Sequence, residues 1–598
     1  MTYQAPIDDM LFCVEELAEL QGMAQLLGLD DAGSEIATAV LQECAKFTQN
    51  VIAPLNVTGD ETPSVWKDGV VTMTPGFQQA YRQFVEAGWQ SLQHPQDYGG
   101  QGLPKAIGSA CTEMFNSANM SFALCPLLTD GAIEALITAG SDELKSTYLE
   151  KLVSGEWTGT MNLTEPQAGS DLALIRTKAE PQADGTYKLF GTKVFITYGE
   201  HDMADNIVHL VLARVPGAPE GVKGISLFLC PKFLVHENGS LGERNDVHCM
   251  SIEHKLGIKA SPTAVLQLGD DGGAVGYLVG EESRGLEYMF IMMNAARYAV
   301  GVQGIAIAER AYQQALAYAG ERVQGRPVDG SMTASAPVIH HPDVRRMLMT
   351  MRAYTQACRA MAAVAAAAYD IAHHHPDAEQ RLHNKRFYEF LVPLIKGYST
   401  EMSLEVTSLG VQVHGGMGFI EETGAAQYYR DARILPIYEG TTAIQANDLV
   451  GRKTVRDEGQ VARAIAARIA KTEGELAERV NSTAARVMLR RLGAARQAFE
   501  QVIDFVIENA RTRPNDIYAG SVPYLMLAAN VVAGWQMARA LMRAEDMLGR
   551  EEGDSAFLNG KVATAHFYAD HILSKVPGIR DVVIEGSEST LALPPDMF

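Results

Sequence analysis

Cysteine is scarce: seven residues (Cys13, Cys44, Cys111, Cys125, Cys230, Cys249 and Cys358) lie scattered through 598 positions, with no Cys-x-x-Cys pair. That pattern excludes a disulfide framework and reads as reduced thiols in a cytoplasmic chain. Long uninterrupted apolar runs are missing too. The longest, Ala360 to Tyr369, is short and alanine-rich, so no integral membrane segment is expected. Met1 to Met10 holds two aspartates and no basic residue, which argues against a secretory signal. Positive charge is in deficit: 50 Lys and Arg stand against 72 Asp and Glu, a net charge of −22. Such a surface opposes nucleic acid and anionic lipid as principal partners, though not an anionic ligand in a local basic pocket. No Gly-x-Gly-x-x-Gly opens a helix after a strand, and no Walker loop occurs. Rossmann, P-loop and TIM-barrel readings therefore lack support.

What is present is the composition of a large globular chain, 47% hydrophobic and 20% charged. Its organisation reads as α+β, in blocks. Residues 1–35 form an N-terminal extension and 36–156 a helical domain. There, 34–49 and 75–87 space apolar positions by three and four. Residues 157–282 read as a β domain, with strands over 187–197, 207–215, 225–230 and 263–268 and a hairpin signal at Asp184-Gly185. Residues 283–455 read as a helical bundle, with helices over 286–321, 341–372, 378–411 and 440–450. Residues 456–598 look like an appended helical domain; Val461, Ala464, Ile465 and Ile469 make an apolar stripe, and Pro514 closes that section.

Three stretches carry candidate chemistry. In the stretch 412–447, Gly415 and Gly416 let the backbone approach a phosphate or a ring, or simply make a tight turn. Glu439 sits between apolar Ile434–Ile437 and a helix start. Apolar surroundings disfavour its charge and make it a stronger base; the plainer reading is a helix cap. In Met161 to Asp171, the hydroxyls of Thr164 and Ser170 suit a polar ligand rim, and Asx or Ser turns explain the same composition. In Lys193 to Thr197, strand alternation puts Phe195 and Thr197 on one face, fit for a flat heterocycle or for sheet packing.

Taken together, seven motifs in order resemble the acyl-CoA dehydrogenases: HPQDYGGQGLP (94–104), LTEPQAGSD (163–171), KVFIT (193–197), KLGIKAS (255–261), ERVQGRP (321–327), QVHGGMGF (412–419) and RDARILPIYEGTTAIQ (430–445). The resemblance spans roughly residues 36–450. The extra length looks most like the long bacterial branch, which includes 3-methylmercaptopropionyl-CoA and fatty-acyl-CoA dehydrogenases. It implies an N-terminal helical domain, a central β domain and a helical bundle, with FAD in the cleft between them.

Residue by residue, the resemblance makes Glu439 the base that removes the α-proton of an acyl thioester. Its own backbone N–H and a flavin hydroxyl would hold the enolate oxygen. Arg297, Gly440 and Ser170 are expected near the substrate. Met161, Leu163, Thr164, Gly169, Ser170, Phe195 and Thr197 would meet the flavin, with Phe195 where the family usually has Trp. Arg322 and Gln324 match a segment that reaches the neighbouring subunit's FAD phosphates; the family's aromatic after that Arg is absent, as Val323 follows. Gln412, Gly415 and Gly416 match the adenosine and pyrophosphate loop, with Thr441 and Gln445 in the stretch after the base. Ala296 stands where some relatives carry an alternative base.

The implied function is α,β-dehydrogenation of a fatty acyl-CoA, the first step of β-oxidation, with electrons passing to an electron-transfer flavoprotein from a homodimer or homotetramer. The alternatives are 3-methylmercaptopropionyl-CoA as substrate, oxidase behaviour, or a relative with little turnover, including a DNA-repair-associated branch that the −22 charge disfavours. No metal site is expected: His373–His375 reads as a solvated helix end, His340-His341 as a loop, and the Arg-rich 485–496 as a helix face. His414 is given no role.

Overall fold

The computed structural model describes residues 3–26 and 33–598. Part of the expected 1–35 extension therefore lies outside the described residues. The predicted helices over 34–49 and 75–87 form as Gly33–Phe47 and Phe77–Glu86. They support two buried helices, α1 (Lys105–Ala118) and α2 (Met120–Ala139). Asn119 caps α2 by accepting from the Phe122 N–H at 3.1 Å.

The sheet has eight strands: β1 (Trp157–Asn162), β2 (Lys178–Pro181), β3 (Tyr187–Thr197), β4 (Asn206–Arg214), β5 (Ile225–Pro231), β6 (Val247–Ile252), β7 (Thr263–Leu268) and β8 (Ala274–Val279). Their order is β6-β7-β3-β8-β5-β4-β1, with β2 set against β3 and β4. Pairing is antiparallel except where β1 and β2 meet β4. The four predicted strands appear as β3, β4, β5 and β7; the other four were not anticipated. In β1, Thr158 and Thr160 are buried against His201 and His209 at 2.9 and 2.7 Å. Partners so distant in sequence leave no local alternation to read.

The bundle comprises α3 (Gly285–Glu321), α4 (Pro342–His374), α5 (Ala378–His414), α6 (Ala425–Ala432) and α7 (Thr442–Val450). Helices α3 and α5 run side by side in the same direction and touch where side chains vanish. A Cβ on Gly301 would sit 2.4 Å from Ile395, and one on Gly304 only 2.6 Å from the Ser399 carbonyl oxygen. At 37 residues each, both extend about 55 Å.

The appended helices are α8 (Gln460–Ala477), α9 (Thr483–Asn509), α10 (Ser521–Gly549) and α11 (Ser555–His571). The buried stripe on α8 is Ala462, Ile465, Ala466 and Ile469; Ala464 is exposed, half a turn off the expected line. Pro514 opens a short helix rather than only ending one.

Among the described residues, three helices, α2, α3 and α10, are long and apolar enough to cross a membrane by length and composition, although no uninterrupted run signals it. Inside the protein, 83%, 67% and 89% of their most apolar windows are buried.

A buried charge cluster ties the blocks together. Arg359 of α4 pairs with Asp9 at 2.5 Å, Glu113 of α1 at 2.5 Å and Glu309 of α3 at 2.7 Å, while Lys561 of α11 pairs with Asp9 at 2.6 Å.

Candidate active site

After α6 the chain makes a compact turn before α7. The Tyr438 N–H donates to Ile434 and the Thr442 N–H to Pro436. At its apex Glu439 has φ +56° and Gly440 has φ +87°. A left-handed glutamate is strained, and such strain persists only where the surroundings over-determine it. Three side chains do so here. Lys396 of α5, buried, donates through Nζ to the carbonyl oxygens of Leu435 at 2.9 Å and Gly440 at 2.7 Å. Gln445 donates to the carbonyls of Glu439 and Gly440, both at 3.2 Å. The Tyr438 hydroxyl donates to Gln303, whose own amide donates to Asn116 at 2.9 Å. Thr441 caps α7, accepting from the Ile444 N–H at 3.4 Å. The cap reading of Glu439 is therefore excluded: the hydroxyl two residues on does that work.

Burial pushes the Glu439 carboxyl up to about 7, against the opposing pull of Arg297 and Lys396. Burial likewise brings the Lys396 ammonium down to about 7, while Glu439 acts to keep it charged. Arg297 is buried, its guanidinium depressed by that burial, with Asp448 at 3.9 Å and no acceptor for Nε. A carboxyl poised near neutrality between two cations has the properties of a general base. The Glu439 N–H has no acceptor among the described residues, so it is free to donate to a developing oxyanion.

On the sheet, Met161, Leu163 and Thr164 end β1 and begin a loop in which Gly169 and Ser170 are exposed. Two residues not singled out from sequence fix this loop. Glu165 accepts from the Thr177 hydroxyl at 2.6 Å, the Thr177 N–H at 3.0 Å, the Arg176 N–H at 2.7 Å and Lys193 at 2.9 Å. Lys193, fully buried on β3, also donates to the Leu163 carbonyl at 3.0 Å. Burial alone would raise the Glu165 carboxyl; Lys193 and the other donors outweigh it and hold it near about 2.

The strand beyond Lys193 departs from simple alternation. Between Lys193 and Ile196 the pairing with β7 slips by one residue, and Phe195 takes φ +60°. This bulge turns Phe195 outward, 62% exposed, whereas Lys193 two residues earlier is buried. The expected shared face of Phe195 and Thr197 does not follow from a regular pleat.

The remaining expected residues lie at the far end of the bundle. Arg322 follows α3 twenty-five residues after Arg297, about 37 Å along the axis. Gln324 pairs its N–H with the Ala336 carbonyl at 3.0 Å in an exposed loop. Gln412, in the last turn of α5, and Gly415 and Gly416, just after it, lie beside them, because His414 stacks on Tyr318 at 4.4 Å. Gly415 has φ +60°, and a Cβ on either glycine would meet nothing within 4 Å, so the backbone is open to a ligand. One chain thus forms two separate sets, Glu439 with Arg297 and Arg322 with the glycine pair.

The residues fit the implied flavin nucleotide: an outward aromatic ring at Phe195, an open glycine backbone, and a buried Gln445 Oε1 without a partner beside the base.

The chain matches the profiles of the acyl-CoA dehydrogenase N-terminal domain over residues 34–156, the middle domain over 160–270 and the C-terminal domain over 283–453. An acetyl-CoA dehydrogenase C-terminal-like profile matches 462–594. A 3-methylmercaptopropionyl-CoA dehydrogenase of Ruegeria pomeroyi is 54% identical over 591 residues, 99% of each chain. Among solved structures, Caenorhabditis elegans ACDH-11 in complex with C11-CoA superposes with TM-score 0.77 at 20% identity, covering 98% of this chain and 96% of that one. An acyl-CoA dehydrogenase complexed with FAD from Bacillus anthracis gives 0.74 at 23% identity, covering 93% and 90%. With its helical, β and helical domains in that order, this chain belongs to the acyl-CoA dehydrogenase family, oxidoreductases that act on CH–CH donors.

Proposed function

We propose that the protein is an FAD-dependent dehydrogenase of 3-methylmercaptopropionyl-CoA. The observation that carries the chemistry is Glu439: half-buried, held in a strained turn, and brought near neutrality between Arg297 and Lys396. The substrate rests on the 54% identity over nearly the whole of both chains. That likeness supports the thioether substrate better than the fatty acyl-CoA expected from the motifs, and no feature of the site favours a fatty chain.

In this reading Glu439 takes the α-proton. The Glu439 N–H donates to the thioester oxygen as negative charge develops there. Arg297 and Lys396 keep enough of the carboxyl ionised at neutral pH to act. The Lys193–Glu165 pair keeps the Leu163–Ser170 loop in place against the cofactor rim. FAD, when bound, supplies the acceptor for the β-hydrogen. We further assign Arg322, Gln324 and the Gly415-Gly416 backbone to the FAD of a second copy in a homo-oligomer; the distance of Arg322 along α3 from Arg297, beside the base, supports this. An electron-transfer flavoprotein is the proposed electron acceptor, on the resemblance alone.

Anaerobic addition of 3-methylmercaptopropionyl-CoA to the purified yellow protein tests the reading. Bleaching of the flavin band is expected in the wild type and lost in Glu439→Gln with FAD retained. Bleaching at an unchanged rate in that variant removes Glu439 from its role. Bleaching by no acyl-CoA removes the activity.

A further inference from the structure

The motif KLGIKAS (255–261) takes no part in the chemistry above, yet two of its backbone positions are unusual. A Cβ on Gly257 would stand 2.5 Å from the Arg430 carbonyl oxygen and 2.7 Å from the Asp431 nitrogen, so only glycine admits that approach. Next to it, Ile258 is buried with φ +43°. A β-branched residue in the left-handed region is a genuine outlier, and such strain persists only where neighbours enforce it. Asp431 enforces it here. At the end of α6 and 2% exposed, it accepts from the Ile258 N–H at 2.5 Å. Arg430, on the same turn, donates to the Leu256 carbonyl at 3.2 Å.

The helix Leu55–Glu61 closes this junction from a third side. Asp60 accepts from both terminal nitrogens of Arg430, at 2.8 and 2.5 Å, and pairs with Lys259 at 3.2 Å. From the junction, two short hydrogen-bonded paths lead to the two halves of the active site. Beyond Asp431, the Leu435 N–H donates to Ala432 and the Tyr438 N–H to Ile434, both at 3.1 Å, and Glu439 follows. Beyond Ile258, the Pro262 carbonyl accepts from the Tyr198 N–H at 2.8 Å, and Thr263 of β7 stands opposite Thr197 of β3. Thr197 and Phe195 are the residues of β3 assigned to the flavin.

We propose that Gly257, Ile258 and Asp431 are positioning residues: their junction sets how far the turn carrying Glu439 stands from the strand assigned to the flavin, and so the room left for a thioester. The inference rests on the dehydrogenase reading above. The acyl group has to meet two partners together, the base at its α-carbon and the acceptor of the β-hydrogen at the next carbon. An error of about 1 Å between their two supports is therefore expensive in rate, even where substrate still binds. Both contacts at the junction act on backbone atoms, so a shift there carries the whole turn with it rather than one side chain.

The test uses the full chain with FAD bound and three variants. Asp431→Leu removes the acceptor, Gly257→Ala presses a methyl against the Arg430 carbonyl, and Asp431→Asn keeps an oxygen for the Ile258 N–H. Anaerobic flavin reduction over a range of 3-methylmercaptopropionyl-CoA concentrations separates the limiting rate from the dissociation constant. The first two variants should lose about tenfold or more in limiting rate with the dissociation constant unchanged, and Asp431→Asn should stay near the wild type. Hydrogen–deuterium exchange should rise at 433–440 and 195–199 together in the first two variants and in neither segment of the third. Where one of the first two does not hold FAD, the other decides on the same readouts. A wild-type limiting rate in a folded variant, a loss confined to the dissociation constant, or exchange that rises only within 255–263 overturns the proposal. Failure of every thioester to bleach the wild-type flavin sinks the dehydrogenase reading instead, while exchange still reports whether the junction ties the two segments together.

Discussion

Lys396 donates to the carbonyl of Gly440 at 2.7 Å, so a buried cation on α5 grips the peptide next to Glu439. The same ammonium holds Leu435 at 2.9 Å and thus closes the turn from both ends. Replacing it by Met should free the strained turn and withdraw a positive charge from the base. A misplacement of about 1 Å can cost about 10²-fold in rate, and a loss of that order in kcat is expected for Lys396→Met. Because Lys396 favours the ionised carboxylate, its removal should also move the pH midpoint of flavin bleaching upward. A lower kcat with an unmoved midpoint would reduce Lys396 to a structural support.

The wild-type pH profile follows from the same group. Burial raises Glu439 from the usual carboxylate range to about 7, and only its ionised form accepts a proton. The bleaching rate should therefore climb with rising pH, pass half its maximum near pH 7, and level off above. It should fall as acid protonates the base. Glu439→Gln should lose this dependence together with about 10²–10⁴-fold in rate. Stopped-flow absorbance across a buffer series measures both effects.

The Lys193–Glu165 pair predicts a coupled loss of stability and cofactor. Both side chains are almost fully buried, 0% and 3% exposed, so Lys193→Met leaves a carboxylate without its cation. Breaking such a pair costs about 3–5 kcal/mol. A lower thermal midpoint and reduced flavin content are expected together, since Lys193 also holds the Leu163 carbonyl. The pH dependence has a definite sign. The Glu165 carboxyl, near 2 when folded, lies below its ordinary value of 4.5; its stabilisation is present above that value and lost as pH falls toward 2. Thermal melts at pH 7 and pH 4 distinguish the variant, whose acid sensitivity should be weaker, from the wild type.

How much of this was legible depends on the range of the interaction. Glu439, Thr441 and Gln445 are neighbours in sequence, and the turn they form was visible as one motif. Lys396 was not, because its tie to the turn exists only once α5 packs beside it. Strand β3 could be read from its β-branched residues, but not its bulge at Phe195, which pairing with β7 sets. Strand β1 escaped because its threonines are satisfied by distant histidines rather than by alternation. Burial pushes those histidines, His201 and His209, down to about 3, so they stay neutral inside the sheet. Arg322 and the Gly415-Gly416 pair each looked like part of the cofactor site. That they share one end of the bundle, remote from the base, follows from the parallel packing of α3 and α5.

The charge cluster around Arg359 makes a prediction about the appended helices. Lys561 lies on α11, yet its ammonium meets Asp9 near the other end of the chain, at 2.6 Å. Asp9 in turn meets Arg359 of α4, which also binds Glu113 and Glu309. Burial would raise the Asp9 carboxyl; Lys561 and Arg359 outweigh it and hold it near about 2. Three carboxylates and two cations are thus buried together, and removing one cation leaves negative charge uncompensated. Lys561→Met should destabilise the protein by about 3–5 kcal/mol, read from denaturant unfolding followed through flavin fluorescence. A chain ending at residue 455 loses that lysine together with the surface of α10 that covers the bundle, and should neither stay in solution nor retain FAD. In the full chain, Lys561→Met should shift one cooperative transition, sensed alike by flavin and by helix content. Should the variant instead melt its C-terminal helices separately, with flavin release at the wild-type midpoint, the appended domain would be an independent unit and the cluster no bridge between them.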